Sequence, residues 1–253
     1  LVVLDGRVAL VSEYVEGADL AQLLGGAPDA STVRIPPRVA LEIVGDVAGA
    51  LAAAWAAPHP VTRAPMNLVH RDIKPANIRI SMQGAVKLLD FGIAKLNNHE
   101  SHTLTGQLFG TPYFMSPEQI LGRRDITPAA DLYSLGAVLF YNLTSTVPFD
   151  GDSQFVIFNK HVNSPVPVLS DRVTHLRSFR LQQLLELLME KSPLDRPQSA
   201  YEAREVFAEI EHITQQLDPR PRLNLLDQWE YSTARDFPAT TAATPIIDTK
   251  LFE

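Results

Sequence analysis

The sequence contains no cysteine among its 253 residues, which excludes disulfide bridges, thiolate metal sites and cysteine nucleophiles together. This absence fits a reducing compartment, and we expect the protein to be cytoplasmic. Basic residues are the scarcer charge, 22 against 29 acidic residues, and the formal net charge is -7. A chain of this charge has no overall positive field, so neither nucleic acid nor an anionic membrane is expected as its main partner.

Long apolar runs are also lacking. The stretch of small apolar residues VAGALAAAWAA at 47–57 is well short of the roughly 18 to 20 residues that cross a bilayer, so no membrane segment is predicted. The opening LVVLDGR has neither an initiator Met nor the charged start and long apolar run of a signal peptide. We therefore expect the chain to be a piece of a longer protein.

The apolar pattern predicts strands followed by helices. Short strands are expected on both sides of Asp5-Gly6, in LVH, in NIRI and in AVKLLD, with a turn at Gln83-Gly84. A long helix is predicted after Pro36-Pro37, and four more in AADLYSLGAVLFYNLT, FVIFNKHV, SFRLQQLLELLMEK and SAYEAREVFAEIEHITQQL. This order favours an α+β fold over an alternating βαβ sheet. Residues 218–253 lose periodicity and are expected to be a tail or linker.

The segment NLVHRDIKPANIRI at 67–80 places a few charges and amides between runs of branched apolar side chains. Asp72 is followed by Asn77, and further on Asp90 begins the tripeptide DFG. Phosphoryl transfer needs one carboxylate to orient an attacking hydroxyl and two oxygen ligands for Mg²⁺. We interpret Asp72 as the base, Lys74 as a group that steadies the phosphoryl group, and Asn77 and Asp90 as metal ligands.

Five motifs in a fixed order extend this pattern: HRDIKPAN, DFG, GTPYFMSPE, DLYSLG and LDRP. Together they resemble the eukaryotic-like serine/threonine protein kinases found in bacteria, over residues 1 to about 217. The resemblance implies a kinase-like fold, with the last small-lobe strands and the hinge in 1–15, the mainly helical large lobe in 16–217 and a tail after it. It also implies ATP and Mg²⁺ as cofactors and a protein substrate with a Ser or Thr hydroxyl, since Lys74 and Thr111 resemble that branch.

The same resemblance implies roles for residues outside the catalytic loop. In SEYVEGADL, the backbone of Glu13 and Val15 would bind adenine and Asp19 would reach the ribose, although Asp19 could equally cap a helix. Structural roles fall on three further residues: Asp131 would hold the backbone of the catalytic loop, and Glu118 would pair with Arg196.

Regulation is implied by Arg71, which directly precedes the catalytic aspartate. Such an arginine commonly holds a phosphate in the loop SHTLTGQLFG, where Thr103 or Thr105 would be the modified residue. Ordinary exposed threonines are an equally good reading of that loop. Dimerisation is the expected route to autophosphorylation of this loop.

Two departures from the family pattern stand out. No G-x-G-x-x-G occurs anywhere, and no lysine precedes Lys74, so the phosphate-covering loop and the ATP-binding lysine of a kinase are missing. We expect this fragment to be inactive by itself. Arg79 takes a position where the family usually has Leu or Met beneath the adenine, and an arginine there would either stack on the base or fold away.

Two alternative functions remain open. A pseudokinase or regulatory binding module would explain the missing small-lobe groups, but it gives no chemical reason for Asp72, Lys74, Asn77 and Asp90 to occur together. A small-molecule phosphotransferase also uses an aspartate and an asparagine at this spacing. It gives no reason for GTPYFMSPE, which in protein kinases shapes the peptide-binding groove.

Overall fold

A computed structural model describes residues 2–4, 7–9, 12–25, 35–59, 61–91, 112–173 and 178–217 of the chain. It opens with an antiparallel pair of strands, β1 (Val2–Leu4) and β2 (Arg7–Ala9), in which Leu4 lies opposite Arg7. The predicted opening hairpin is therefore confirmed.

A second, antiparallel sheet has the order β3-β4-β5 and consists of β3 (Gly17–Asp19), β4 (Ile78–Ser81) and β5 (Val86–Leu88). Strands β4 and β5 and the turn between them were predicted, and Gly84 takes the positive φ, 79°, that the turn requires. The strand predicted at residues 68–70 was wrong. Those residues form no ladder, because the backbone N–H of His70 bonds a side chain, that of Asp131.

Seven helices make up most of the remaining described residues: α1 (Leu20–Leu23), α2 (Pro37–Ala56), α3 (Pro117–Ile120), α4 (Ala129–Thr144), α5 (Gln154–Asn163), α6 (Phe179–Leu188) and α7 (Ala200–Leu217). Five of them, α2 and α4 to α7, agree with the predicted segments, whereas the short helices α1 and α3 were not predicted. Short 3-10 turns lie at Pro75–Asn77, Pro112–Phe114, Leu169–Asp171 and Pro193–Asp195. The small sheets and the helical majority give the α+β architecture that the sequence predicts.

The core forms where α2 packs against α4 and α7. Every residue of α4 is buried, and α7 buries Ala203, Val206, Ile210 and Ile213 at helical spacing. The ring of Phe207 lies over the small surface that Gly45 and Gly49 leave on α2. This packing gives the site a rigid base.

Helix α2 is also long and apolar enough to cross a membrane, with 20 residues and a mean hydropathy of 1.6 in its best window. The sequence expectation of no such segment considered only 47–57, whereas the full helix is longer. In the structure 67% of that window is buried inside the protein. Its place in the core accounts for its apolar composition.

Candidate active site

The loop at residues 70–77 is attached to helix α4 at two points. The backbone N–H groups of His70 and Arg71 donate to the two carboxylate oxygens of Asp131, at 2.6 and 2.7 Å. Arg71 adopts a left-handed backbone, with φ of 66°, and this turns both N–H groups toward the carboxylate. Burial raises the pKa of Asp131 to about 7, although the hydrogen bonds from His70 and Arg71 favour its charged form. Since α4 is wholly buried, the loop is fixed to the core.

His70 joins this loop to the strand that leads into Asp90. Its ring is fully buried and its Nδ1 accepts a hydrogen bond from the backbone N–H of Asp72 at 3.3 Å. Because an amide N–H can only donate, Nδ1 carries no proton, and Nε2 donates to the carbonyl oxygen of Leu89 at 2.7 Å. The ring also lies 4.7 Å from that of Phe91. His70 thus holds the backbone on both sides of the site.

The side chains predicted to be catalytic lie together. One carboxylate oxygen of Asp72 accepts hydrogen bonds from Nζ of Lys74 at 2.9 Å and from Nδ2 of Asn77 at 3.0 Å. The same Nδ2 lies 2.8 Å from the backbone oxygen of Asp72, since the 3-10 turn Pro75–Asn77 brings the chain back toward it. The side chains of Lys74 and Asp72 are 23% and 21% exposed, so a substrate can reach them.

The two residues predicted to bind magnesium are Asn77 and Asp90. The amide nitrogen of Asn77 is engaged by Asp72, which leaves its Oδ1 as the atom available to a metal. The backbone N–H of Leu89 donates to the carbonyl oxygen of Asn77 at 2.8 Å. This bond joins the catalytic loop to the segment that continues into Asp90. Asp90 is exposed and has a φ of 56°. Among the described residues no group of three or more His, Cys, Asp or Glu could hold a metal, so a metal here would need ligands from a phosphate or water.

A cavity of about 500 Å³ lies beside Asp90. We call residues 12–17 the hinge segment, since four of them line this cavity opposite strands β4 and β5. The lining residues are Ser12, Glu13, Tyr14, Val15, Arg79, Lys87, Leu88, Leu89, Asp90 and Phe91. The residues predicted to bind adenine therefore share one cavity with a predicted metal ligand.

Asp19 makes the contact of a helix cap. Its carboxylate accepts the backbone N–H of Gln22 at 2.8 Å, and its own N–H donates to the side-chain oxygen of Gln22 at 3.1 Å. This capping box begins α1. A contact between Asp19 and a ribose stays a prediction.

Arg79 folds onto the hinge segment. Its Nε donates to the carbonyl oxygen of Val15 and its Nη2 to that of Gly17, both at 2.6 Å. Of the two arrangements that the sequence left open, the structure has the side chain turned to these carbonyls. The cavity therefore has a charged group at a position where an apolar residue was the family expectation.

Glu118 and Arg196 form a buried, two-bonded ion pair with distances of 2.7 and 2.9 Å. The other donors of Arg196 bond the backbone oxygens of Glu190, Ala129 and Lys191, so all five guanidinium N–H groups have acceptors. This arrangement joins α3 to the segment after α6. Its satisfied hydrogen bonds allow the charges to be buried.

Gln119 is a site residue that the sequence analysis missed. Its Nε2 donates to the carbonyl oxygen of Arg71 at 2.9 Å, while its Oε1 accepts the backbone N–H of Ser116 at 3.1 Å. The capping pattern S-x-x-Q at 116–119 was the available signal. Thr103, Thr105 and Thr111 lie outside the described residues.

Comparison with known proteins identifies the family of the chain. A family model described as the protein kinase domain matches residues 2–209. The chain is similar to serine/threonine-protein kinase PknA of Mycobacterium tuberculosis, with 37% identity over 196 residues, 77% of this chain and 41% of PknA.

Two further relatives cover more of the chain. Probable serine/threonine-protein kinase PknB of Lactococcus lactis is 30% identical over 251 residues, 97% of this chain and 37% of that protein. Serine/threonine-protein kinase pkn3 of Myxococcus xanthus is 30% identical over 255 aligned positions, 97% of this chain and 43% of that protein. The chain thus spans about two fifths of the length of these curated relatives.

Proposed function

The chain belongs to the protein kinase family, and from that premise we propose that it is the catalytic large lobe of a serine/threonine protein kinase. The proposed reaction transfers the γ-phosphoryl group of ATP to a Ser or Thr hydroxyl of a protein substrate. One observation carries this proposal: Lys74 and Asn77 both donate to the carboxylate of Asp72, on a loop that Asp131 anchors to the core. The relatives' names support the choice of Ser and Thr as acceptors.

The proposed chemistry assigns one task to each polar group. The substrate oxygen forms a bond to the γ-phosphorus while the bond from that phosphorus to the β–γ bridging oxygen breaks, and ADP leaves. Asp72 orients the hydroxyl and accepts its proton. Lys74, whose Nζ lies 2.9 Å from that carboxylate, donates to the transferred phosphoryl oxygens and offsets their charge.

Asn77 and Asp90 are the residues we propose to hold Mg²⁺. When bound, the ion offsets the negative charge of the nucleotide phosphates. The hydrogen bond between the backbones of Asn77 and Leu89 joins the two chain segments that carry these ligands. Rigid placement of this kind lowers the cost of ordering the site on binding.

The remaining assignments complete the proposal. The backbone of Glu13 and Val15 would bind adenine and Asp19 the ribose, with residues 1–15 as the end of the small lobe, 16–217 as the large lobe and 218–253 as a tail. Arg71 would hold a phosphate on Thr103 or Thr105, and dimerisation would allow this loop to be phosphorylated between copies. We place the protein in the cytoplasm.

The direct test of the proposed site is the variant Asp72→Asn in the full-length gene product. Loss of the base should lower phosphoryl transfer to a Ser/Thr protein substrate by at least about 100-fold. Mg·ATP binding and the thermal midpoint should change little, because the substitution preserves shape. Transfer is measured with labelled ATP, beside the matched surface variant Asp152→Asn. Undiminished transfer by Asp72→Asn would contradict the assignment.

A further inference from the structure

Three consecutive carbonyl groups of the hinge segment accept hydrogen bonds from strand β4 and from the residue that follows it. Arg79 donates to the oxygens of Val15 and Gly17 at 2.6 Å, and the backbone N–H of Met82 donates to that of Glu16 at 3.0 Å. In the adjoining ladder Gly17 lies opposite Ser81 and Asp19 lies opposite Arg79. Each of residues 15–17 of the hinge segment is therefore hydrogen-bonded to the end of the sheet that contains β4.

The guanidinium of Arg79 bonds backbone oxygens although a carboxylate lies across from it. Asp19 is its cross-strand neighbour, but the Asp19 carboxylate accepts the backbone N–H of Gln22 and caps α1. Among the described residues Arg79 forms no ion pair with Asp or Glu. Hydrogen bonds from a charged donor are stronger than neutral ones, so these two contacts hold the hinge backbone firmly.

We propose that Arg79 is a positioning residue for nucleotide binding, an inference that rests on the proposed kinase function. Arg79 and Val15 both line the cavity of about 500 Å³, and Val15 is buried. By fixing the carbonyls of Val15 and Gly17, Arg79 presents a preformed backbone edge to a nucleobase. A site ordered before the ligand arrives loses less entropy on binding.

The shape of the side chain matters as much as its charge. A guanidinium is a planar fork whose N–H groups reach two acceptors at once, whereas an ammonium is a compact point charge. Arg79→Lys would therefore keep the charge and lose the simultaneous bonds to two carbonyls. Arg79→Leu would supply an apolar surface and leave the oxygen of buried Val15 without its guanidinium partner.

Lys160 offers a matched control outside the cavity. Its ammonium donates to the backbone oxygen of Asp150 at 2.6 Å, so it too is a cation that bonds a backbone carbonyl. It lies on α5 and is not among the residues that line the cavity. Lys160→Gln removes one positive charge and leaves the backbone carbonyls of the hinge segment bonded.

The test measures ADP binding to the full-length gene product by calorimetry, with and without Mg²⁺. We expect Arg79→Leu and Arg79→Lys each to raise the Kd about tenfold in both conditions, since they disturb the base-binding segment. Lys160→Gln should change the Kd less than about threefold, because its contact is exposed and lies outside the cavity. Asp90→Ala should weaken binding much more with Mg²⁺ than without it. In both Arg79 variants the Met82 amide should exchange its hydrogen faster, because the hinge segment is looser.

Four results would overturn the inference. Equal or tighter ADP binding by Arg79→Leu would show that an apolar side chain at position 79 supports nucleotide binding as well as arginine does. Recovery of wild-type affinity in Arg79→Lys would show that charge alone matters, and this milder variant also decides the question if Arg79→Leu does not fold. Absence of ADP binding by the wild-type protein would overturn the proposed function and this inference together. Wild-type binding with unchanged Arg79 variants would overturn this inference alone.

Discussion

At the scale of single residues, His161 shows how burial sets the protonation of a group outside the site. Its ring is fully buried, with Nδ1 2.9 Å from the hydroxyl of Tyr133 and its centroid 4.9 Å from that of Phe149. Lys191 donates to its carbonyl oxygen at 2.9 Å. Burial, with the charge of Lys191, lowers the pKa of His161 to about 3. Helix α5 is therefore docked through a neutral imidazole.

This buried imidazole predicts a pH-dependent stability. Between pH 6.5 and about 3 the unfolded chain binds a proton at His161 that the folded protein excludes, so stability falls as the pH is lowered through this range. The loss attributable to His161 is about 1.4 kcal/mol for each pH unit below 6. The measurement is urea unfolding at pH 7, 6 and 5 for the wild type and His161→Gln, which cannot titrate.

The comparison of two proteins is needed because Asp131 acts in the opposite direction. Its pKa is raised from 3.8 to about 7, so its contribution is present at low pH and is lost as the pH rises through 7. This contribution is common to both proteins and cancels in their difference. Parallel pH profiles for wild type and His161→Gln would contradict the low pKa of His161.

The sequence predicted the contacts of a side chain well where its partners belong to the same motif. It predicted them poorly where the partner is backbone far away in the chain. Asp72, Lys74 and Asn77 are close together in sequence, so their proximity in the structure could be predicted from the motif alone. The orientation of Arg79 depends on carbonyls 64 and 62 positions earlier in the chain. Its substitution was visible in the sequence, but its partners were not.

At the scale of elements, the contact between strands β3 and β4 depends on a glycine. A Cβ added at Gly17 would lie 2.0 Å from the carbonyl oxygen of Ile80 and 2.8 Å from Cα of Ser81. Both neighbours are backbone atoms, so neither can move without displacing the strand. Gly17 therefore allows the hinge segment to approach β4 closely enough for Arg79 to reach its carbonyls.

Gly17→Ala should push β3 away from β4. We expect a loss of about 2 kcal/mol or more in the free energy of unfolding, together with weaker ADP binding. The control is Gly122→Ala: Gly122 has a positive φ, 64°, as Gly17 does at 148°, but no atom of the described residues lies within 4 Å of its added Cβ. Its cost should be about 1 kcal/mol, from the backbone conformation alone. Equal losses in chemical denaturation of both variants would mean that the close approach is unimportant.

The prediction of helices and strands succeeded where the apolar periodicity extends over several turns. The sixteen residues of α4 fall on the predicted segment AADLYSLGAVLFYNLT, because an apolar pattern over four turns determines both type and limits. The short extended run at 68–70 failed, since its partner is the Asp131 side chain. Strand β3 was missed because its three residues, Gly-Ala-Asp, have little strand preference.

At the scale of the whole molecule, a buried ion pair joins parts of the chain that are far apart in sequence. Glu118 and Arg196 are 78 positions apart, and their side chains are 3% and 0% exposed. Asp131 similarly reaches back 61 positions to His70. Both contacts therefore depend on distant parts of the chain being folded together.

Glu118→Gln should therefore be strongly destabilising. The substitution leaves the charge of Arg196 buried without its counterion, which typically costs about 3–5 kcal/mol. The matched control is Glu209→Gln, which removes a pair with Arg180 that is 3.6 Å long and 37% to 48% exposed. That variant should lose less than about 1 kcal/mol. Similar thermal midpoints for the two variants would contradict the structural role of the buried pair.

The central claim is that this chain forms part of a working serine/threonine kinase. The most direct measurement is transfer of labelled phosphate from Mg·ATP to a generic protein substrate by the full-length gene product and by the 253-residue chain, with identification of the labelled amino acids. We predict transfer to serine and threonine by the full-length protein only, since no lysine precedes Lys74 in this chain. Nucleotide binding without transfer by the full-length protein would contradict the account and indicate a regulatory binding module.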